Sequence, residues 1–245
     1  MNREAPRRLR RAEAVLARRT GRFLLVLERC TDRHNADAVL RTAEGFGIQK
    51  VWMVEQDPPS PKAWSPGTVS KGADRWLDIE VFPHVDACIA ALREQDWEIW
   101  ATDLAEDADE LDGTRLLEVP TQVALVLGRE SDGVSKKLLA AADRRLRLPM
   151  QGFAESLNLS VAAGLFLAAL FQACPQARGD LKDSEKDSIR RRWYGVLATS
   201  DAQREEFMAW ADHPPDPLDT PRPAPEFRRP RVRKSASRRY GIDRD

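Results

Sequence analysis

Cysteine and histidine are scarce in this chain of 245 residues, with three of each. The cysteines (Cys30, Cys88 and Cys174) form no C-x-x-C pair, and the histidines do not cluster. This distribution gives neither a disulfide framework nor a zinc-ligand spacing, so we expect no bound metal. No charge-free apolar run reaches membrane-spanning length, and the start of the chain lacks the apolar core of a signal peptide. We therefore expect a cytoplasmic protein without a membrane partner.

The chain also has no net charge, because 39 basic residues balance 39 acidic ones. The balance is uneven along the sequence: residues 1–22 carry a net charge of +6 and residues 214–245 a net charge of +4. The residues between them therefore carry −10. Basic ends on an acidic body are typical of a protein whose ends bind an anionic polymer, although a solubilising charge pattern has the same distribution.

Apolar segments separated by polar clusters predict an α/β fold. Runs of aliphatic and aromatic residues predict strands at residues 24–27, 51–54, 79–81, 97–100, 123–127 and 146–148. Helical composition is found at residues 34–46, 85–93, 157–171 and 183–211. Gly47 follows the first of these helices, where a glycine commonly ends a helix. Three of the polar clusters directly follow strands, which is where open α/β sheets bind their ligands.

The last of these polar clusters introduces the most apolar helix of the chain. Pro149 ends the preceding strand, because proline cannot donate a hydrogen bond within a central ladder. Ser156 occupies the position expected of the N-cap of a helix that begins at Leu157. Asn158 then lies one turn into that helix. The residues that follow are almost all small or aliphatic, which predicts a helix buried on most sides.

Three segments form a combined pattern: Asn35 with Arg41-Thr42-Ala43, then Gly128-x-Glu130-x-x-Gly133-Val134-Ser135, then Pro149-Met150 with Ser156-Leu157-Asn158-Leu159-Ser160. In this order and at these intervals they resemble the SPOUT class of RNA methyltransferases. Within that class they resemble the TrmH family of tRNA and rRNA ribose 2'-O-methyltransferases. The resemblance covers roughly residues 20–175. Asp37 departs from the pattern, since a small residue is more usual there.

The resemblance implies a parallel-sheet α/β fold with a C-terminal trefoil knot, flanked by short helices at both ends. It also implies S-adenosyl-L-methionine as cofactor and a homodimer whose two subunits build each site. The cofactor's adenosine is then expected to contact five residues: Thr102, Leu127, Gly128, Leu148 and Leu157. A classical dinucleotide fold would instead need G-x-G-x-x-G after the first strand, and the sequence has none there.

The resemblance also implies the catalytic residues. Arg41 would act on the 2'-hydroxyl of the substrate ribose, and Asn35 would fix its orientation. Because a guanidinium stays protonated at ordinary pH, we favour Arg41 as a stabiliser of the developing alkoxide. If a phosphate of the substrate paired with Arg41 and helped to deprotonate its guanidinium, Arg41 would act as a general base instead. Glu130 would position the substrate or its loop, while Ser156 and Asn158 would hold the cofactor or the motif loops.

The basic ends are expected to differ in structure. Residues 1–20 predict a helix with one apolar stripe (Ala5, Leu9, Ala12 and Leu16) and arginines elsewhere, whereas residues 214–245 are proline-rich and predict a disordered tail. Between them we expect a methyltransferase domain at residues 21–175 and a helical extension at residues 176–213. The residues expected to contact RNA are Arg8, Arg11, Arg19 and Lys71.

The expected reaction is 2'-O-methylation of a ribose in tRNA, most specifically of the D-loop guanosine. The short N-terminal segment favours tRNA, because rRNA-modifying members often have an additional RNA-binding domain that 20 residues cannot form. Two alternatives stay open: an rRNA or tRNA wobble-position 2'-O-methyltransferase with the same fold, and an RNA-binding relative without catalysis. The presence of all five expected catalytic residues argues against the second alternative.

Overall fold

The computed structural model describes residues 4–30, 32–55, 72–111 and 117–221. Within these ranges the strands are β1 (Thr20–Glu28), β2 (Ile48–Val54), β3 (Asp78–Phe82), β4 (Glu98–Thr102), β5 (Asp109–Glu110), β6 (Val123–Leu127) and β7 (Arg144–Arg147). They form one sheet in the order β3-β2-β1-β6-β4-β7-β5. Every neighbouring pair is parallel. The predicted parallel α/β fold is confirmed, while the trefoil knot stays a prediction.

The α-helices of the described residues are α1 (Arg7–Leu16), α2 (Arg33–Phe46), α3 (Val85–Glu94), α4 (Lys136–Ala141), α5 (Leu159–Ala173), α6 (Asp183–Leu197) and α7 (Asp201–Ala211). Helix α2 begins where the Asp32 side chain accepts a hydrogen bond from the His34 amide. It ends as predicted at Gly47, whose φ of 94° is left-handed and therefore favours glycine. None of these helices is long and apolar enough to cross a membrane.

The central strands are buried on both faces, which explains their nearly continuous apolar sequences. In β1 and β6, Phe23, Leu25 and Leu125 pack against α2 and α5. Their neighbours Leu24 and Val126 point to the opposite face, against α3 and α4. Successive side chains of a strand alternate between faces, so both helical layers are built on the same two strands.

The start of α5 differs from the prediction. The helix begins at Leu159, and its N-cap is Asn158, whose side chain accepts a hydrogen bond from the Ser160 amide at 3.0 Å. Ser156 therefore caps no helix, and Asn158 does not lie one turn into one. Both residue types are good caps, and the local sequence does not indicate which of them the chain will use.

Helices α1, α6 and α7 pack together beside the sheet around an apolar cluster that includes Leu9, Leu16 and Trp193. The predicted apolar stripe of the first helix is confirmed for Leu9, Ala12 and Leu16, whereas Ala5 precedes α1 and lies outside this cluster. Glu13 is also buried there, and it accepts hydrogen bonds from Arg190 and from the Tyr194 hydroxyl. Helix α1 is thus joined with α6 and α7 in one helical unit.

The described part of the predicted disordered tail, residues 214–221, lies against α1. The Leu218 amide donates to the Arg10 carbonyl at 3.1 Å, and Arg10 donates to the Asp216 carbonyl. Arg18 donates to the Asp219 carbonyl. The prediction of disorder from residue 214 onward is therefore wrong for residues 214–221, because the arginines of α1 and of the turn after it bind the carbonyl groups of this segment. Residues 222–245 lie outside the described residues.

Candidate functional site

A cavity of about 440 Å³ lies beyond the carboxyl ends of β4, β6 and β7. All five residues expected to contact the cofactor line it: Thr102, Leu127, Gly128, Leu148 and Leu157. Thr102 and Leu127 are the last residues of β4 and β6, and Leu148 directly follows β7. The cavity thus occupies the position in which open parallel sheets bind ligands.

Gly128 lines the cavity at a position that has no room for a side chain. A Cβ atom placed on it would lie 2.0 Å from the Gly133 carbonyl carbon and 2.1 Å from the Val134 amide nitrogen. The chain folds back here, with the Gly133 amide donating to the Arg129 carbonyl at 2.8 Å. Any side chain at Gly128 would displace residues 128–135, which we call the glycine loop.

Side-chain hydrogen bonds join all three segments of the sequence pattern beside this cavity. Asn35 Nδ2 donates to Glu130 Oε1 at 2.6 Å, and Asn158 Nδ2 donates to Asn35 Oδ1 at 3.1 Å. Ser160 Oγ donates to Asn158 Oδ1 at 2.6 Å. Glu130 also lines the cavity, so this network orients one of the carboxylates in the cavity wall. The half-buried Asn35 is the central member, because it binds both of the other segments.

Ser156 also lines the cavity. Its side chain is exposed and makes no hydrogen bond within the described part of the chain. Its hydroxyl is therefore available to a ligand, in contrast to the Asn158 side chain, which is engaged with Asn35 and Ser160.

Arg41 is exposed on α2 and does not line the cavity of its own subunit. No hydrogen bond joins Asn35 to Arg41 among the described residues, so the expectation that Asn35 orients Arg41 directly is wrong within one subunit. The reason is geometric: residues six positions apart on a helix point about 120° away from each other around its axis. No carboxylate of the described residues pairs with Arg41, which leaves its guanidinium available to a partner.

The cavity wall is more acidic than basic. Asp103, Glu130, Asp132 and Glu155 line it, against Arg129 and Arg147. Hydrogen bonds from Arg129 and Ser131 lower the pKa of Asp132 to about 2, so this carboxylate is ionised at neutral pH. Of these six, sequence analysis identified Glu130 alone. Asp103 and Asp132 are paired with arginines, whereas Glu130 and Glu155 form no ion pair within the described residues, so these two carboxylates favour a ligand that carries positive charge.

One face of α5 is apolar and exposed. Val161 and Leu165 of this helix are 49% and 47% exposed, and Leu157, which precedes the N-cap, is 37% exposed. The nearby Phe153 is fully exposed. The prediction that this helix is buried on most sides is confirmed, and this face is the exception. A contiguous exposed apolar stripe is typical of a surface that a partner covers.

The four residues expected to contact RNA have different surroundings. Arg19 is fully buried, donates to the Ile48 carbonyl at 2.7 Å and to Glu44 Oε1 at 2.7 Å, and lies over the Trp193 ring. Burial lowers its pKa. Arg19 thus cannot contact RNA, and that prediction is wrong because α1 ends at Leu16, before Arg19.

Arg8 and Arg11 are both exposed on α1. Arg8 donates to the Leu197 carbonyl at 3.1 Å, whereas Arg11 has no partner within the described ranges. Lys71 lies outside the described residues. In the same described ranges, no group of three or more His, Cys, Asp or Glu side chains is arranged to hold a metal ion.

Comparison with known proteins identifies relatives that match the sheet and the site. The profile of the SpoU rRNA Methylase family matches residues 22–168. The tRNA (guanosine(18)-2'-O)-methyltransferase of Thermus thermophilus is 34% identical over 160 residues, which are 65% of this chain and 79% of that protein. The 23S rRNA (guanosine-2'-O-)-methyltransferase RlmB of Nitrosomonas europaea is 35% identical over 159 residues, 64% of this chain and 58% of that protein.

A solved structure extends the similarity beyond the family match. The crystal structure of the A. aeolicus TrmH/SpoU tRNA modifying enzyme superposes with a TM-score of 0.66 at 25% sequence identity. The superposition covers 78% of this chain and 98% of that one.

Proposed function

Since the chain belongs to the SpoU rRNA methylase family, we propose that it transfers the methyl group of S-adenosyl-L-methionine to the 2'-hydroxyl of a ribose in tRNA. The target that we propose is the D-loop guanosine, because relatives such as the T. thermophilus enzyme are tRNA (guanosine(18)-2'-O)-methyltransferases. The observation that carries the proposal is the network of Asn35, Glu130 and Asn158, which joins the three segments of the pattern beside one cavity. We also propose that the protein acts in the cytoplasm.

The residues of the cavity fit this cofactor. Gly128 lines the cavity without a side chain, so an adenine edge can approach its backbone groups closely. The acidic lining suits a sulfonium, which is positively charged. The residues that would hold the cofactor are Thr102, Leu127, Gly128, Leu148 and Leu157. When bound, it supplies an electrophilic methyl group, and no metal is required.

Arg41 is the proposed catalytic residue. The ribose 2'-hydroxyl is a weak nucleophile and loses its proton as the new C–O bond forms. A guanidinium beside it stabilises the developing negative charge on oxygen. Arg41 is exposed on α2 and pairs with no described carboxylate, so its positive charge is available for this role. Glu130, Asn35 and Asn158 keep the substrate side of the cavity in place, and the free hydroxyl of Ser156 binds the ligand.

We propose a homodimer that associates through the exposed stripe of α5. Val161 and Leu165 would be covered by a second copy. Because Arg41 does not line the cavity of its own subunit, its guanidinium reaches reacting atoms only in an assembly that places it beside another cavity. Association through α5 would do so, since α2 packs directly against α5.

Arg8 and Arg11 of α1 and Lys71 are the proposed contacts to the RNA backbone. Helix α1 is fixed to the body of the protein by its apolar stripe and by the buried Glu13, so its exposed arginines are held on a rigid element. Such arginines bind phosphates without reading the sequence, and they strengthen binding most at low salt. The sheet domain and helical extension keep their predicted limits, residues 21–175 and 176–213, in this proposal.

The test is methyl transfer from labelled cofactor by the purified protein, with EDTA present. Unmodified tRNA and 23S rRNA are supplied separately as acceptors. We expect label in tRNA. Label confined to 23S rRNA would favour the second candidate, an rRNA 2'-O-methyltransferase, which the similarity to the N. europaea enzyme supports. Absence of transfer to either RNA would contradict the proposed function.

A further inference from the structure

We propose that Glu28 and Arg29 are positioning residues, which hold the glycine loop in the conformation that shapes the cavity. Neither residue lines the cavity. The inference rests on the proposed function, because it requires that this cavity bind the cofactor. Neither residue belongs to the three segments of the sequence pattern, although Glu28 is a charged residue that ends a strand of mostly apolar residues.

Glu28 holds the end of the glycine loop. It is the last residue of β1, and its side chain is fully buried. Its Oε2 accepts a hydrogen bond from the Ser135 amide at 2.7 Å, and Ser135 is the N-cap of α4. A carboxylate is costly to bury unless its environment compensates for the lost hydration. Here the compensation comes from the loop itself and from Arg29, whose Nε lies 3.5 Å from Glu28 Oε1.

Arg29 holds the middle of the same loop. Its φ of 54° is in the left-handed region, which residues other than glycine seldom adopt. The Arg29 amide donates to the Val54 carbonyl at 2.8 Å, which fixes this conformation. Its guanidinium then faces the loop, 3.3 Å from Asp132 Oδ2 and 3.4 Å from the Gly133 carbonyl oxygen. Unfavourable backbone conformations of this kind are concentrated at functional sites.

The loop is therefore fixed at three points: at Gly128 by close packing, at residues 132–133 by Arg29, and at Ser135 by Glu28. Glu130 lies between the first two points, and this is the residue that binds Asn35. Loss of either the Glu28 or the Arg29 side chain would free one side of the cavity wall. We therefore expect weaker binding of the cofactor, with little change in the binding of tRNA through α1.

The test compares three variants of the full-length protein by calorimetry with S-adenosyl-L-methionine and no RNA. Glu28→Met removes the acceptor of the Ser135 amide, and Arg29→Asn removes the guanidinium but keeps a residue that tolerates a left-handed φ. Each should raise the Kd about tenfold, as expected for one lost hydrogen bond to a charged group. Glu28→Gln keeps an oxygen acceptor and should stay within about threefold of the wild-type Kd.

Glu13→Gln is the matched control, because Glu13 is also a buried, hydrogen-bonded glutamate but lies in the cluster of α1 and α6. It should lower the thermal midpoint of unfolding without changing the Kd. An equal change in Kd for Glu13→Gln would show that loss of stability alone explains the result, and the inference would be wrong. If Glu28→Met does not fold, Arg29→Asn decides, since the Arg29 side chain is partly exposed.

Gly128→Ala separates this inference from the proposed function. If Gly128→Ala abolishes cofactor binding while Glu28→Met and Arg29→Asn bind like the wild type, the cavity is the cofactor site but the positioning role is wrong. If Gly128→Ala itself binds normally, the cavity is not the cofactor site and the proposed function fails with it.

Discussion

Replacement of Asn35 tests the network that joins the three segments of the sequence pattern. Asn35→Ala removes the hydrogen bond to Glu130 (2.6 Å) and the one from Asn158 (3.1 Å). A hydrogen bond to a charged group contributes about 1.5–3 kcal/mol and a neutral one about 0.5–1.5 kcal/mol. Because Glu130 and Asn158 are exposed, we take the low end of both ranges. The expected loss is about 2 kcal/mol, or about 30-fold in kcat/KM.

Asn35→Asp keeps the shape of the side chain at position 35 but replaces a neutral amide with a carboxylate. Its carboxylate still accepts from Asn158, whereas it can no longer donate to Glu130. Two carboxylates at this distance bind one shared proton at pH values where a single carboxylate is ionised. That proton restores the lost hydrogen bond, so the activity of Asn35→Asp relative to wild type should rise as the pH is lowered. Asn35→Ala should show no such recovery.

The assay is steady-state methyl transfer to tRNA at a series of pH values, with the cofactor Kd measured in parallel. The reasoning is refuted if Asn35→Ala keeps at least half of the wild-type kcat/KM. It is also refuted if Asn35→Asp and Asn35→Ala have the same pH profile, since Glu130 would then not be coupled to position 35.

Three other predictions concern the catalytic arginine, the subunit interface and the RNA surface. Arg41→Ala should lower methyl transfer by orders of magnitude, while the cofactor Kd measured by calorimetry stays nearly unchanged. Arg41→Lys should not restore full activity, because an ammonium lacks the planar donor geometry of a guanidinium. Near-normal turnover of Arg41→Ala would contradict the mechanism. The double variant Val161→Arg, Leu165→Arg should be a monomer in light scattering and should be inactive, since two charges cannot be buried in an apolar interface. A dimer of unchanged mass would rule out α5 as the interface. Replacing Arg8 and Arg11 by glutamine should weaken tRNA binding. It should also reduce the slope of log affinity against log salt by about 0.7–0.9 for each phosphate that is no longer bound. An unchanged slope would show that α1 does not bind the RNA backbone.

The fold was largely predictable because its signals are local. Strand β6 was predicted at residues 123–127, as found, since a central parallel strand is apolar throughout and is bounded by polar residues. The helix that ends at Gly47 was equally clear, because its glycine takes the left-handed φ that such a position requires. The start of α5 was misplaced by two residues, since Ser156 and Asn158 are both suitable caps.

What the sequence did not reveal depends on contacts between distant residues. Arg19 resembles the other N-terminal arginines in sequence, but Glu44 and Trp193 bury it in the fold. Glu28 and Arg29 were not predicted, because they contact residues about 100 positions later in the chain. The composition of a segment indicates its local preference for helix, strand or turn. The partners of a buried charged side chain depend instead on how the fold brings distant segments together.

The central claim is tested most directly by locating the modified nucleotide. Unmodified tRNA is incubated with the purified protein and S-adenosyl-L-methionine, digested with a site-specific ribonuclease and analysed by mass spectrometry. The account predicts one added methyl group on the ribose of a D-loop guanosine, detected as 2'-O-methylguanosine. A methyl group on a base, or tRNA of unchanged mass under conditions where the protein binds the cofactor, would contradict it.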